Sequence, residues 1–239
     1  MPIRAVLWDI DDTIFDHTTA SATGMARHLA VEGLPGGYAT ADEAVEAWQR
    51  VTRLHWARFS AGETDWPGQR RDRARDFLGR SMDDAEADAW FERHVAHYEA
   101  AWSLFPDTVP VLDVLAGVYR HAALSNSALE PQHRKLTVLG VRDRFESLLC
   151  AAELGVSKPA AGAFLAACAA LELPPSDVVY VGDEPDIDAG GATAAGLTGV
   201  WLDRAGRGGR PELVRITALD QLPALLAGHT RFGASDTFG

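Results

Sequence analysis

Short, continuously apolar segments alternate with longer helical patterns along most of the chain. Five segments are too uniformly apolar to show a solvent-facing alternation, which is typical of strands covered on both faces. They lie at 3–8, 121–124, 147–151, 178–181 and 199–202. Apolar residues at helical spacing separate them at 109–119 and 159–171, and a helix of small residues is expected at 190–195. This alternation predicts an α/β fold with a doubly wound parallel sheet of five strands.

An insert between residues 15 and 105 interrupts the alternation, because it contains no strand-like segment. Helical patterns fit at 17–31, 41–61, 67–79 and 83–104, and the last places Phe91, Val95, Tyr98 and Trp102 on one face. Five of the seven tryptophans fall in this insert. We interpret them as the core of a helical bundle rather than as a substrate platform.

The insert leaves the sheet after its first strand and returns before its second, so it is placed to cap that strand's tip. We therefore expect an α/β core at 1–14 and 106–228, with a helical cap at 15–105. The polar, glycine-rich residues 229–239 are expected to form a flexible tail.

The amino-acid composition and charge disfavour several classes of protein and partner. Hydrophobic residues make up 47% of the 239 positions and charged residues 23%, which is typical of a globular chain. The net charge of −12 argues against nucleic acid or an anionic membrane as partner. Cys150 and Cys168 lie in apolar surroundings and give no disulfide framework. The acidic residues come too early for a signal peptide, and no apolar segment has membrane-spanning length. We expect a cytoplasmic protein whose oligomeric state the sequence leaves open.

Chemically active side chains follow four of the predicted strands. The stretch IRAVLWDIDDT ends an apolar strand in three carboxylates. Like charges at such spacing raise each other's pKa, so a positive group is expected beside them. The other stretches contain Ser125 and Asn126, then Lys158, then Asp183 and Asp188. Ligands of doubly wound sheets bind beyond the carboxyl ends of the strands, so these residues are expected at one rim.

These residue types suit phosphoryl transfer. Asp9 and Asp11 are two apart, so in extended backbone their side chains point the same way. One can attack phosphorus while the other exchanges a proton with the leaving group. Carboxylates from the first and fourth strand ends suit Mg²⁺. Ser125 and the backbone N–H beside it can bind phosphoryl oxygens, and Lys158 supplies positive charge.

This set of motifs resembles the haloacid dehalogenase-like hydrolase superfamily, whose members are mostly Mg²⁺-dependent phosphatases. The resemblance runs from Ile3 to Leu226. The matching residues are Asp9, Asp11 and Thr13 in an Asp-x-Asp-x-Thr motif, Ser125 in LSNS, Lys158-Pro159, and Gly182-Asp183 with Asp188, followed by GGATAAG.

The resemblance implies a Rossmann-like core with an inserted cap in the C1 arrangement. It makes Asp9 the nucleophile that forms an aspartyl-phosphate, and Asp11 the general acid and base. The implied Mg²⁺ ligands are Asp9, Asp183 and the backbone carbonyl of Asp11. Thr13 would support the site, and Asp188 would orient metal-bound water or Lys158, while Ser125, Asn126 and Lys158 would bind the substrate phosphate.

The fourth motif departs from the family pattern, because Glu184 stands where Ser or Thr is common and Asp186 adds another acid. The sequence does not settle whether Glu184 touches the metal. Arginines 70, 71, 73 and 75 in the insert are interpreted as a solvated helix face, with an anion-binding role as the alternative.

We expect a phosphomonoesterase that acts on a small phosphorylated metabolite. A 2-haloacid dehalogenase is the first alternative, but that reaction does not retain the second aspartate as an acid/base. A phosphomutase stays open because it retains both aspartates. A phospho-accepting receiver-like signalling domain is disfavoured, because its phosphorylated Asp follows a later strand. The general style of the sequence resembles the branch with nucleotide, flavin mononucleotide and sugar phosphatases, and the substrate itself depends on the cap.

Overall fold

The computed structural model describes residues 2–232 and confirms an α/β fold around a parallel sheet. The strands are β1 (Ala5–Trp8), β2 (Arg120–Ser125), β3 (Ser147–Cys150), β4 (Val178–Gly182), β5 (Thr198–Leu202) and β6 (Val214–Ile216). Within the described residues the sheet has six parallel strands in the order β3-β2-β1-β4-β5-β6. The prediction of five strands was wrong by one.

The missed strand, β6, is short and carries a charge at its centre. It pairs with β5 through Trp201 and Arg215, and Arg215 is exposed at the edge of the sheet. The guanidinium Nε of Arg215 donates to Asp203 Oδ2 at 2.8 Å. Three residues with an arginine in the middle form no continuous apolar segment of the kind that identifies the other five strands.

The helices follow the predicted alternation with some shifted ends. They are α1 (His17–Glu32), α2 (Ala41–Ser60), α3 (Trp66–Leu78), α4 (Asp84–Glu99), α5 (Thr108–Ala116), α6 (Leu129–Val138), α7 (Ala151–Leu154), α8 (Ala161–Ala170), α9 (Gly191–Ala194) and α10 (Leu222–Phe232). Helix α4 ends five residues before the predicted 104, at Glu99. Residues 229–232 of the expected tail belong to α10, and residues from 233 onward lie outside the described part of the chain.

Two compact units make up the described chain: residues 2–16 with 104–232, and His17–Ser103. The helical unit thus begins and ends two residues inside the expected 15–105. The reason is local, because Phe15 and Leu104 form a backbone bridge that keeps both in the α/β unit. Phe105 N–H also donates to the Ile14 carbonyl at 3.1 Å.

The sheet of the α/β unit is covered on both faces, as its apolar strands predicted. Every residue of β1 is fully buried. Leu7 and Tyr180 lie in one core cluster with Phe164, whose ring meets the Tyr180 ring edge to face at 5.0 Å. Parallel register places Trp8 beside Ala123 of β2 and Val181 of β4. The residues that follow these three strands therefore emerge side by side.

The helical unit is a bundle of α1 to α4 with an aromatic core. Trp48, Phe77 and Trp90 are buried together with Met25, as the interpretation of a bundle core requires. The helix starts have specific caps. For example, the Asp83 side chain accepts from Glu86 N–H, and the Glu86 side chain accepts from Asp83 N–H.

The arginines of α3 have two different environments. Arg70, Arg71 and Arg75 form ion pairs with carboxylates, such as the Arg71–Asp88 pair at 2.7 Å, as a solvated face would. Arg73 is buried instead. Its guanidinium stacks over the Trp48 ring, with 4.6 Å between Cζ and the ring centroid, and donates to Thr52 Oγ1 at 3.0 Å.

A helix that crosses a bilayer must be both long and apolar. Among the described residues, no helix combines the length and the apolar character that a membrane crossing requires.

Candidate active site

The tip of β1 forms a tight loop around Asp9. Asp9 continues the strand pairing, because its N–H donates to the Val181 carbonyl at 2.9 Å, and its side chain is buried. Asp12 has a positive φ of 59°, which Asp tolerates better than most residues. The loop brings Thr13 back to the strand end, where Thr13 Oγ1 donates to Asp9 Oδ2 at 3.0 Å. Thr13 therefore orients one oxygen of Asp9.

Lys158 is the positive group beside these carboxylates. Its buried ammonium donates to Asp9 Oδ1, Asp188 Oδ1 and Tyr180 Oη, each at 2.7 Å. Burial by itself lowers the pKa of Lys158, but Asp188 and Asp9 more than offset this and raise its pKa above the ordinary value. Lys158 is therefore a fixed cation that joins two strand ends.

Asp188 reaches the site through a π-helical turn, Pro185–Gly190, after β4. The turn returns the chain so that Asp188 Oδ2 accepts from Glu184 N–H at 3.0 Å. Gly182 is required for this arrangement, because a Cβ there would lie 2.4 Å from the Asp188 carboxyl carbon. The exposed Glu184 thus contributes its backbone N–H to holding Asp188.

Carboxylate oxygens of Asp9, Asp183 and Asp188 lie within 4.8 Å of one another. Burial, followed by the neighbouring Asp9 and Asp188 charges, raises the pKa of Asp183. Burial also raises the pKa of Asp9, although Lys158 acts in the opposite direction. A divalent cation would relieve this repulsion, and hard carboxylate oxygens are the ligands that Mg²⁺ prefers. The residues present therefore fit the expected ion.

Asp11 lies apart from that group and faces helix α6. Lys135 Nζ donates to Asp11 Oδ1 at 2.5 Å, and Gln132 Nε2 donates to Asp11 Oδ2 at 2.6 Å. The same Gln132 amide donates to Ser125 Oγ at 3.0 Å. Residues at the carboxyl ends of β1 and β2 are thus connected through one side chain of α6.

Asn126 holds the backbone of Lys158. Its Nδ2 donates to the Lys158 carbonyl at 2.9 Å, and its Oδ1 accepts from Lys158 N–H at 2.7 Å. The side-chain amide thereby aligns the segment that presents the ammonium. A contact between Asn126 and substrate phosphate stays a prediction.

Sequence reasoning missed Gln132, Lys135 and Tyr180. Tyr180 lies inside an apolar strand and was interpreted as core, yet its hydroxyl contacts Lys158. A signal for Lys135 is present in the composition, because the chain contains only two lysines, Lys135 and Lys158, beside twenty arginines. Gln132 has no such signal, since a glutamine on a helix is usually a surface residue.

Comparison with known proteins identifies the family of this chain. Residues 3–196 match the family model described as haloacid dehalogenase-like hydrolase. The chain belongs to the haloacid dehalogenase-like hydrolases. The expectation of an enzyme from this superfamily is thereby confirmed.

Curated members of the haloacid dehalogenase-like hydrolases resemble the chain over most of their length. A phosphoserine phosphatase from Thermus thermophilus is 26% identical, with 88% of this chain and 92% of the relative covered. The (S)-2-haloacid dehalogenase 1 from a Pseudomonas strain is 28% identical, with 94% of this chain and 97% of the relative covered. Phosphatases and a dehalogenase are thus both among the relatives.

A solved structure of another haloacid dehalogenase-like hydrolase shares the fold. The HAD-hydrolase YfnB from Bacillus subtilis, bound to magnesium, superposes with a TM-score of 0.78. Its sequence is 20% identical to this one, and the superposition covers 95% of this chain and 99% of the YfnB chain.

Proposed function

We propose that this hydrolase is a Mg²⁺-dependent phosphomonoesterase that acts on a small phosphorylated metabolite through an aspartyl-phosphate. The observation that carries the proposal is the second carboxyl group of the first motif. Asp11 is present two residues after Asp9, and its carboxylate is held by Lys135 and Gln132, away from the three-carboxylate cluster. Because Asp11 lies outside that cluster, we assign it the proton exchange with the leaving group.

The first half-reaction forms the covalent intermediate. An Asp9 carboxylate oxygen attacks phosphorus, the bond from phosphorus to the leaving oxygen breaks, and that oxygen takes the proton of the Asp11 carboxyl group. Thr13 and Lys158 orient the Asp9 carboxylate in the substrate-free protein. Lys158 also supplies positive charge where phosphoryl oxygens gather negative charge.

The second half-reaction regenerates the enzyme. Water attacks the phosphorus of the aspartyl-phosphate, its proton passes to the Asp11 carboxylate, and the bond between phosphorus and the Asp9 oxygen breaks. The products are inorganic phosphate and the original carboxyl groups.

Mg²⁺ would be held by Asp9, Asp183 and the Asp11 carbonyl. When bound, it neutralises carboxylate and phosphoryl charge and orients the phosphate. Asp188 lies in the same carboxylate group, but its Oδ1 accepts from Lys158 and its Oδ2 from Glu184 N–H. As the family resemblance implies, we assign Asp188 to holding Lys158 rather than to direct coordination.

The relatives support a phosphorylated metabolite as substrate but do not select one. The phosphatase relative above is named for phosphoserine, and another, from Methanopyrus kandleri, for glyceraldehyde 3-phosphate. Nucleotide, flavin mononucleotide and sugar phosphates also stay within the proposal. We propose that the helical unit His17–Ser103 acts as the cap that selects among them.

Dehalogenation is the second candidate, because one relative is a 2-haloacid dehalogenase. The two reactions are separated by assaying phosphate release from a panel of phosphorylated metabolites and halide release from 2-haloacids. We expect phosphate release alone, and Asp9→Asn should abolish it, because the amide cannot attack phosphorus. Halide release without phosphate release would overturn the proposal. Phosphate transfer to a second position of a sugar phosphate, without hydrolysis, would instead indicate a phosphomutase.

A further inference from the structure

Each of the two lysines of this chain lies beside one of the two aspartates of the first motif. Every other basic side chain among the 22 is an arginine. Both lysines are buried, and each ammonium contacts one aspartate of the first motif, Lys158 with Asp9 at 2.7 Å and Lys135 with Asp11 at 2.5 Å. A lysine ammonium is a compact point charge, whereas an arginine guanidinium is a planar fork, so one cannot replace the other in such a buried contact without a change of geometry. The use of lysine here, in a chain that otherwise uses arginine, indicates a specific requirement beside Asp11.

Lys135 and Gln132 are three residues apart on α6, so they lie on the same face of the helix. Together they occupy both oxygens of the Asp11 carboxylate. Lys135 Nζ also lies 4.2 Å from the centroid of the Phe15 ring, which closes one side of the ammonium. Asp11 is thus fixed by two buried donors from a helix outside the four family motifs.

We propose that Lys135 and Gln132 are positioning residues for Asp11, which set the orientation from which it exchanges a proton with the leaving group. The inference rests on the proposed phosphomonoesterase function. Both donors favour a carboxylate acceptor, so their contacts are strongest after the Asp11 proton has passed to the leaving oxygen. Gln132 also links Asp11 to Ser125, so the acid and a phosphate-binding hydroxyl keep a constant separation.

The need for this positioning depends on the leaving group. An alkoxide must be protonated as it departs, whereas p-nitrophenolate leaves without help. Loss of Asp11 positioning should therefore slow the attack on alkyl phosphates much more than the attack on p-nitrophenyl phosphate. The parameter kcat/KM reports on the attack at phosphorus, because it depends only on the steps up to and including the first irreversible one, the release of the leaving group.

The test compares kcat/KM of Lys135→Met and the wild type on p-nitrophenyl phosphate and on the best alkyl phosphate from the metabolite panel. Methionine keeps most of the stem and removes the ammonium. We expect a loss of about thirtyfold or more on the alkyl phosphate, a part of the usual general-acid contribution, and less than about threefold on p-nitrophenyl phosphate. Gln132→Met serves as the second variant where Lys135→Met does not fold. It should lose more on the alkyl phosphate, on top of a smaller loss common to both substrates, because Gln132 also donates to Ser125.

Arg134→Met is the matched control, because Arg134 is the exposed basic residue immediately before Lys135 on the same helix. It should leave both kcat/KM values unchanged. An equal loss on both substrates in the folded variants would show a structural role and overturn the inference. A faster reaction of the alkyl phosphate would show that the pair holds Asp11 away from the reaction, and would overturn it too. Absence of phosphatase activity in the wild type would instead remove the proposed function.

Discussion

Lys158 Nζ lies 2.7 Å from Asp9 Oδ1, although the two residues are 149 positions apart in the sequence. Asp9 directly follows the first strand, and Lys158 lies between β3 and α8. The contact is buried, so the Lys158 ammonium offsets part of the negative charge that accumulates at the tip of β1. The charge balance of the site therefore depends on this contact and on the groups that hold it.

Removal of the Lys158 charge should stop catalysis. In Lys158→Met the side chain keeps most of its volume, but Asp9 and Asp188 lose their shared cation. We expect kcat to fall at least about a hundredfold, which is the scale for deletion of one preorganised electrostatic donor. Steady-state kinetics on p-nitrophenyl phosphate measures the loss, and circular dichroism establishes that the variant is folded. A folded variant with wild-type kcat would remove Lys158 from the site.

Gly182 should not tolerate a methyl group. In Gly182→Ala the new Cβ would lie 2.4 Å from the Asp188 carboxyl carbon, so Asp188 must leave its place beside Lys158. We expect a loss of about 1–3 kcal/mol in the free energy of unfolding, together with lower activity. Gly117→Ala is the control, because Gly117 has φ −78° and a Cβ added there would meet no atom within 4 Å. Equal unfolding free energies of the two variants would contradict the close packing.

Mg²⁺ binding should depend on Asp183. Asp183→Asn removes one carboxylate from the group of three, so we expect the affinity for Mg²⁺ to fall about tenfold or more. Isothermal titration calorimetry measures this without relying on turnover. Asp186→Asn is the matched control, since Asp186 lies in the same loop but is exposed and paired with Arg210 at 2.7 Å. Similar Mg²⁺ affinity in both variants would exclude Asp183 as a ligand.

Acid should destabilise the helical unit through His28. Burial, the largest cause, lowers the pKa of His28 to about 4, with Glu32 opposing and His97 and Arg93 reinforcing the shift. The unfolded chain takes up the proton near pH 6.5, so the stabilisation is present above that pH and is lost as the pH falls towards 4. We expect a loss of about 1–2 kcal/mol between pH 8 and pH 5 from this residue.

The matching variant is His28→Phe, which keeps a ring against Trp90 but cannot titrate. Urea unfolding followed by tryptophan fluorescence reports mainly on this unit, because five of the seven tryptophans lie in it. The variant should lose less stability than the wild type when the pH falls from 8 to 5. An identical loss in both proteins would show that His28 is not the titrating group. The neighbouring His94, whose pKa burial also lowers, should account for part of the remaining slope.

Several parts of the structure could be predicted from the sequence, because they depend on local patterns. Continuous apolar segments identified five of the six strands, since a strand buried on both faces needs no polar alternation. The parallel sheet then places the residues after each strand at one edge. That rule is sufficient to associate Asp9, Lys158 and Asp188, which the structure brings into contact.

Other parts depend on contacts that no local pattern encodes. β6 pairs with the edge of β5, although Arg215 interrupts its apolar residues Val214 and Ile216. The sequence groups Arg73 with three arginines that are partly buried and ion-paired, but its position on α3 turns it inward against the Trp48 ring. In each case the environment of a residue is decided by a partner that is distant in sequence.

The sequence by itself therefore determined the fold class, the family and the groups that gather at the strand ends, because strand pattern and motif spacing are local properties. Only the tertiary structure decided which partner each group has. In the structure Asp11 lies outside the three-carboxylate cluster and accepts hydrogen bonds from Lys135 and Gln132. The Tyr180 hydroxyl, which belongs to a core strand, accepts from Lys158. These assignments depend on the place of α6 beside the loop that follows β1 and on the pairing of β4 with β1, which bring together donors and acceptors more than twenty residues apart.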